Sequence, residues 1–224
     1  MARDEQHFDR REMEIVHTMF RREFGHLPRL IREAANVERA RIIAGHFALI
    51  NGALHHHHCS EDDLVWPLLK KRAGNSIGKH VQMMEAQHDA LAIRLEQLSV
   101  GIRTWLADDA AANGPGSDAS RLAVLLDEHL AAEEELVVPV MEQYITADEW
   151  DAMVREGAAA GDPATLPLAF GMLMYEGDFE VVGRALDRMP ADVRSAVSTL
   201  AADSFSHHAQ RVYGTSTPLR STEL

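Results

Sequence analysis

Apolar residues recur every three or four positions along most of the chain, a spacing that is typical of amphipathic helices. In the first predicted helix, from about Asp4 to Ala35, they form one stripe of Met13, Val16, Phe20, Phe24, Leu27 and Ile31. The same spacing predicts three more long helices, from Val37 to between Lys71 and Gly74, from just after Ser76 to Ala107, and from Asp118 to Ile145. The clearest loop is Asn113–Ser117. Long helices with short connections predict an up-down-up-down four-helix bundle.

The last third of the chain has shorter apolar segments. Residues 146–149 resemble a capping box that opens a short helix, and 157–163 have the composition of a linker. Three further helices are predicted over 167–175, 179–188 and 190–213, followed by a frayed tail after Gly214. Because this part has too few large apolar residues for its own core, we expect residues 1–145 to form the bundle and 146–224 a helical extension packed on it. The predicted fold class is all-α.

Composition and charge narrow the partners. The chain has 22 basic and 35 acidic residues, a net charge of −13, which would repel nucleic acid and anionic lipid headgroups. No apolar run approaches the length of a membrane span, and the N-terminus lacks the apolar stretch of a secretory signal. A single cysteine, Cys59, cannot form an internal disulfide. We therefore expect a cytoplasmic protein that binds neither nucleic acid nor membrane.

One eleven-residue phrase occurs twice. His57–Pro67 (HHCSEDDLVWP) and, 72 residues later, His129–Pro139 (HLAAEEELVVP) both have the form H-x3-E-acid-acid-L-V-x-P. A His and a Glu four residues apart on a helix are offset by about 40° around the axis and about 6 Å along it, so both can bind one metal. Two such helices that face each other could hold a pair of metals. The acids that follow each Glu are interpreted as a solvated face, and each Pro as a kink or helix end.

Ligands of one centre must lie at one level of the bundle, and this level can be counted at about 1.5 Å per residue from each turn. His57 is level with about position 91 of the third helix and about position 18 of the first, so His88 and His17 are expected beside it. His129 lies nearer the start of its helix than the count requires, but the loop before it leaves that start open. The predicted metal ligands are His17, His57, Glu61, His88, His129 and Glu133.

The other histidines are interpreted as structural. His46 shares the angular position of His57 but lies about 16 Å away along the helix, which predicts a buried, hydrogen-bonded side chain instead of a ligand. His58 with Asp62 is a competing register for the first repeat. Core or surface positions are expected for His7, His26, His80, His207 and His208.

These residues resemble the hemerythrin family, the HHE cation-binding domain, over about residues 10–145. Its pattern is a His on the first helix, H-x3-E on the second, His on the third, and H-x3-E or H-x4-D on the fourth. The resemblance implies two non-haem iron ions with an oxo or hydroxo bridge, Glu61 and Glu133 as bridging carboxylates, and histidines at the outer positions. Further along, residues 170–177 (FGMLMYEG) are similar to those of actinobacterial proteins with this domain.

The sequence departs from oxygen-carrying hemerythrins at Met84. Those proteins place a second histidine one turn before the position of His88, where this chain has Met84. The thioether of methionine is a poor ligand for iron that prefers oxygen and nitrogen ligands. One iron is therefore expected to stay open to water or substrate, or to recruit His58 or Tyr175. This departure argues against simple reversible oxygen transport.

The predicted centre is compatible with three functions. With fewer carboxylates than ferritin-like sites, the centre favours binding or sensing O2, peroxide or NO, with catalase- or peroxidase-like turnover as a further activity. The alternatives are iron storage, sensing or delivery, and a structural zinc or interaction module. Because tetrahedral zinc needs only four ligands, six converging ones argue for a larger centre. The extension could also form the interface of a homodimer.

Overall fold

A computed structural model of the chain describes residues 7–110, 114–160, 163–189 and 191–224. Within these ranges the structure is helical, apart from one isolated bridge between His7 and Thr146, and this confirms the all-α fold. The helices are α1 (Arg11–Arg32), α2 (Val37–Ser60), a π-helix (Glu61–Val65), α3 (Trp66–Ala73), α4 (Asn75–Ala107), α5 (Gly116–Leu136), α6 (Val138–Tyr144), α7 (Ala147–Ala160), α8 (Leu166–Met174), α9 (Phe179–Asp187) and α10 (Ala191–Tyr213). Short 3-10 turns span Pro163–Thr165 and Ser221–Glu223.

The four long segments form the predicted bundle. α1 packs against α2 and α5, and α4 packs against the same two helices from the opposite side. The predicted stripe of α1 is buried in the core, with Phe20, Phe24 and Leu27 each at most 1% exposed. Asn36 caps the second helix by accepting a hydrogen bond from the Arg39 backbone N–H, which explains its start at Val37.

The prolines of the two repeats interrupt their helices in different ways. Before Pro67 the chain forms one turn of π-helix, in which the Trp66 backbone N–H donates to the Glu61 carbonyl five residues back. Before Pro139, helix α5 ends and Val137 adopts φ −111°, after which α6 continues. A proline ring clashes with the carbonyl four residues before it, and both interruptions relieve this clash. The π-helix begins at Glu61, and α5 ends three residues after Glu133.

The C-terminal helices pack on the bundle through α1 and α2. Met172, Phe205, Ala209 and Val212 join the same core cluster as the α1 stripe, and they do not build a core of their own. The residues predicted as a linker, 157–163, are partly helical, because α7 continues to Ala160. Asn113 of the predicted loop, Pro190, residues 161–162 and the first six residues lie outside the described residues.

The prediction of a frayed tail after Gly214 is wrong. The His26 side chain contacts the Leu219 carbonyl at 2.9 Å, and the Ser221 hydroxyl donates to Glu176. The Leu224 side chain lies against Gly25 of α1, where an added Cβ would be 2.9 Å from Leu224 Cδ1. The tail is thus packed along α1. None of the described helices is both long and apolar enough to span a bilayer.

Candidate metal centre

The four bundle segments bring all six predicted ligand positions to one level, together with a seventh residue, His58. The seven side chains form two adjoining groups, and within each group the potential ligand atoms lie within 4.8 Å of one another. The first group is His17, His57, Glu61 and Glu133, and the second is His58, His88 and His129. Six of the seven residues are buried, and the His57 side chain is 13% exposed.

The inner atoms of these residues lack hydrogen-bond partners. All five histidines direct a buried, unpartnered Nε2 into the cluster, and both oxygens of Glu61 and of Glu133 are unpartnered as well. A buried polar atom without a partner costs free energy, so nine of them in one place require a compensating species. Imidazole nitrogens and carboxylate oxygens are ligands of divalent transition metals, and a pair of such cations would satisfy every one of these atoms. The donor set therefore fits a metal centre.

Glu61 lies between the two groups. Its Oε1 is 3.2 Å from His57 Nε2 in the first group, and its Oε2 is 3.5 Å from His88 Nε2 in the second. The two oxygens of one carboxylate thus face the two groups separately. This is the placement that a bridging carboxylate requires.

Glu133 also contacts both groups, although through one oxygen. Its Oε2 is 3.5 Å from His17 Nε2 and 3.9 Å from His129 Nε2. Burial raises the pKa of Glu133, and burial together with the nearby Glu133 charge raises the pKa of Glu61 well above its usual range. A cation bound between the two carboxyls would oppose both shifts, because it favours their charged forms.

Asp62 and Glu134, the acids directly after Glu61 and Glu133, are partly exposed, but they also contact the cluster, unlike the exposed Asp63 and Glu135. Asp62 Oδ1 accepts a hydrogen bond from His88 Nδ1 at 2.9 Å, and Glu134 Oε1 accepts one from His17 Nδ1 at 2.9 Å. Glu134 is also paired with Arg21, 2.7 Å from its Nη1. Burial acts to raise the pKa of Glu134, but the hydrogen bonds from His17 and Arg21 outweigh it and lower the pKa to about 2. Each repeat thus provides both a candidate ligand and a support for a histidine on another helix.

His129 is the third histidine whose Nδ1 is held by a hydrogen bond to a side chain outside the cluster. Its Nδ1 donates to Gln87 Oε1 at 3.0 Å. In all three cases the proton on Nδ1 is held outside the cluster, which leaves the lone pair of Nε2 directed inward. Burial lowers the pKa of His129 to about 3, so its ring is neutral and able to bind a metal.

His58 is the ligand candidate that the sequence analysis did not include in its set. Its ring stacks on His88 with centroids 4.0 Å apart and lies 5.1 Å from the ring of His129. Both His57 and His58 reach the cluster because it is wide enough for the two neighbours to face different groups. Two features of the sequence indicated His58: it belongs to a run of histidines, and Met84 occupies the position where oxygen carriers have a second histidine. In the structure, Met84 is buried in a second core cluster together with Trp66. Tyr175, the other residue considered for this role, donates its hydroxyl to the Pro218 carbonyl instead.

The first group borders a cavity of about 310 Å³, here called the apolar cavity, whereas His58 and His88 of the second group line a separate cavity of about 260 Å³. Its polar wall is formed by residues 56–61 of α2 and the π-helix, including His57 and Glu61 of the first group. The remaining walls are apolar side chains of α1 and α2 and of the C-terminal helices α7 and α8. The second group has none of its residues in this lining, so the apolar cavity gives access to the first group alone.

His46 is buried and hydrogen-bonded, as predicted. Its Nδ1 contacts His208 Nε2 at 3.1 Å, and its Nε2 lies 3.3 Å from Glu23 Oε2 and 3.3 Å from the Tyr213 hydroxyl. Arg22 pairs with the other oxygen of Glu23 at 2.6 Å. These five residues are called the Glu23 cluster below. His208 therefore takes part in a buried network, whereas His7 is exposed.

Comparison with known proteins gives one match. The model of the hemerythrin HHE cation-binding domain matches residues 10–156, which is more than half of the chain. No curated protein and no solved structure matches significantly. The matched residues include all seven members of the cluster and both repeats. The chain therefore belongs to the hemerythrin family of HHE cation-binding domains.

Proposed function

We propose that the seven clustered side chains hold two non-haem iron ions, and that the protein binds or senses a small oxidant (O2, peroxide or NO) at this centre. The observation that carries the proposal is the set of nine unpartnered buried atoms, divided between two groups that share Glu61 and Glu133. Seven ligands exceed what a single tetrahedral zinc ion uses, and their mixture of imidazole and carboxylate suits iron.

The two groups are unequal, and this inequality supports a reactive site instead of a purely structural one. The second group contains three histidines and the first contains two. With both carboxylates shared, the first group offers fewer protein ligands and leaves room for an outside molecule. The apolar cavity reaches the same group through His57 and Glu61. Two ferrous ions held here would supply one electron each to a bound oxidant.

The chain's own residues have three tasks in this function. Asp62, Glu134 and Gln87 hold the Nδ1 protons of their histidines outside the cluster, so that the Nε2 atoms can bind metal. The apolar walls surround the first group with side chains of low polarity, which strengthens electrostatic interactions there. Arg21 compensates the charge of Glu134 at the outer edge of the centre.

The test is metal analysis of the purified protein together with its optical spectrum before and after O2, peroxide and NO. We expect two iron ions per chain and an absorption change with at least one of the three molecules. Glu133→Gln should lower the iron content, whereas Glu135→Gln, at the exposed next-but-one position of the same helix, should leave it unchanged. One zinc ion and no iron, or iron whose spectrum ignores all three molecules, would contradict the proposal.

A further inference from the structure

The apolar cavity is larger than a diatomic molecule or hydrogen peroxide needs. One water molecule occupies about 30 Å³ of liquid volume, so about 310 Å³ is room for roughly ten. This is within the range of pockets that bind small organic molecules, which begins at about 300 Å³. A cavity of this size beside the first group can therefore admit the body of an organic molecule.

The lining specifies the chemistry of that body. Fourteen of the eighteen lining residues are apolar, and among them are four methionines, a side chain that adapts to ligands of varied shape. Of the described residues that line the cavity, none is a Lys, Arg or Asp. Away from the metal ligands, a carboxylate or phosphate would lose its hydration without gaining a basic side chain as partner. The body of the occupant should therefore be uncharged.

The polar wall lies on one side only. Ser60 donates its hydroxyl to the His56 carbonyl, so this hydroxyl is already used. His57 Nε2 and Glu61 Oε1 are the unpartnered atoms of the wall, and they belong to the first group. A molecule with an apolar body and a single polar end would therefore place that end next to the metal ligands.

From these observations we infer that the apolar cavity binds an uncharged organic hydroperoxide, and that helices α7 and α8 supply the wall that holds its apolar body. The polar end is assigned on the basis of the proposed function, whereas the apolar body follows from the cavity alone. Cleavage of the O–O bond yields an alcohol and water. It consumes two protons from solvent and two electrons, which the two ferrous ions would provide as each becomes ferric.

The inference assigns a role to the C-terminal helices. Trp150 and Met153 of α7 and Ala169 and Met172 of α8 form part of the apolar wall of the cavity. Without these helices the polar wall at His57 would face solvent. The C-terminal part of the chain thus converts an open bundle face into a ligand site.

The experiment uses the full chain loaded with iron and two substitutions on one helix. Ala53 lines the cavity from an exposed position of α2, so Ala53→Phe introduces a ring at the cavity without disturbing the core. Ala48 is also exposed on α2 but does not line the cavity, which makes Ala48→Phe the matched control. Ala169→Phe narrows the cavity from α8 and serves as a second test if its thermal unfolding stays close to that of the parent.

The first readout is calorimetric binding of cumyl alcohol, the product that cumene hydroperoxide would leave. We expect saturable binding of one molecule per chain, weakened about tenfold or more by Ala53→Phe, as is common when a pocket is altered by a few carbon atoms. Ala48→Phe should bind like the parent. No binding of cumyl alcohol to the parent, or equal weakening by both substitutions, would overturn the inference.

The second readout is single-turnover consumption of cumene hydroperoxide and of hydrogen peroxide by the ferrous protein. Ala53→Phe should slow the organic substrate about tenfold and change the rate with hydrogen peroxide much less. An equal effect on both substrates would overturn the inference and leave the proposed function intact. Binding of cumyl alcohol by a protein that reacts with no oxidant would instead contradict the proposed function while supporting the cavity as an apolar binding site.

Discussion

Two buried clusters of histidine and glutamate both include residues of α1 and α2, and they differ in whether their polar atoms have hydrogen-bond partners. The candidate metal centre contains nine inner atoms without a partner. In the Glu23 cluster, each described side chain contacts another polar group, and none of its atoms belongs to the unpartnered set. Both clusters draw histidines from α2, at His46 and at His57 and His58. The presence of buried histidines therefore does not distinguish a metal site from a structural network.

The distinction comes from the donors that each cluster contains. Arg22 supplies a positive charge next to Glu23, and the Tyr213 hydroxyl donates a short hydrogen bond to the same carboxylate. Burial acts to raise the pKa of Glu23, but the Arg22 charge and the hydrogen bonds from Tyr213 and Arg22 outweigh it, and the pKa falls below its usual value. Burial also raises the pKa of Glu61, where Glu133 adds to the effect instead of opposing it. One cluster brings its own cation, and the other requires one from outside.

The largest expected difference is in the free energy of unfolding of the metal-free chain, when one carboxylate of each cluster is replaced by an amide of the same size. Glu23→Gln should lower the free energy of unfolding by about 3–5 kcal/mol, because it removes the carboxylate that Arg22 and the Tyr213 hydroxyl both contact, and the ion pair of Arg22 with Glu176 replaces it only in part. Glu133→Gln should change it by about 1 kcal/mol or less, because it removes a buried carboxyl that has no hydrogen-bond partner of its own. Urea unfolding followed by circular dichroism measures both.

Iron loading should remove most of the difference between these two variants. A ligand at a thousand times its dissociation constant stabilises the folded state by about 4 kcal/mol, and Glu133→Gln should forfeit much of this gain. Glu23→Gln should keep it, since its site does not touch the centre. Equal losses for the two variants in the metal-free chain would remove the distinction between the clusters.

The next effect concerns pH and belongs to the Glu23 cluster. Burial, only partly offset by Glu23, lowers the pKa of His46 from 6.5 to about 4. Below about pH 6.5 the ring binds a proton in the unfolded chain, whereas in the folded chain it stays neutral down to about pH 4. The free energy of unfolding is therefore highest above pH 6.5 and falls by roughly 3 kcal/mol as the pH decreases to 4. The groups that face His46 are Arg22, Glu23, His26, His208 and Tyr213.

His46→Gln removes this titration. In the metal-free chain, the loss of unfolding free energy between pH 7 and pH 4 should be roughly 3 kcal/mol smaller in the variant than in the parent, even if the variant is less stable at pH 7. Urea unfolding at the two pH values gives the comparison. Parallel losses in the two proteins would show that His46 does not titrate as a buried neutral ring.

Much of this arrangement could be predicted from the sequence because helical periodicity fixes both angle and depth. The H-x3-E repeats identified two helices, and counting residues from the turns placed His17 and His88 at the level of His57. The same count separated His46 from the centre, and the structure confirms its buried, hydrogen-bonded state. The ligand roles themselves stay predictions until metal has been measured.

The rest depends on packing that periodicity does not encode. His58 follows His57 by about 100° around the helix, and whether both face inward depends on the width of the cluster and on the rotation of α2. The role of Asp62 depends on the distance between α2 and α4, because its partner His88 lies on another helix. The packing of Leu224 against Gly25 joins the chain's last residue to its first helix, and no local pattern indicates such a contact.

The smallest effect should come from the acids that support the histidines. Asp62→Asn and Glu134→Gln keep the size of the side chain but replace a charged acceptor by a neutral one, which weakens the hydrogen bond that orients the ring of His88 or His17. Loss of such a partner typically lowers metal affinity about 10- to 100-fold. Competition with a chelator of known affinity measures the change, and the ions should remain bound at saturating iron.

Each repeat also contains the control for this experiment. Asp63 and Glu135 follow the supporting acids by one residue, are exposed, and point away from the cluster. Asp63→Asn and Glu135→Gln remove the same charge at nearly the same distance along the chain. If affinity falls by the same factor in all four variants, general electrostatic attraction explains it, whereas a fall restricted to Asp62→Asn and Glu134→Gln shows that the repeats orient histidines on neighbouring helices.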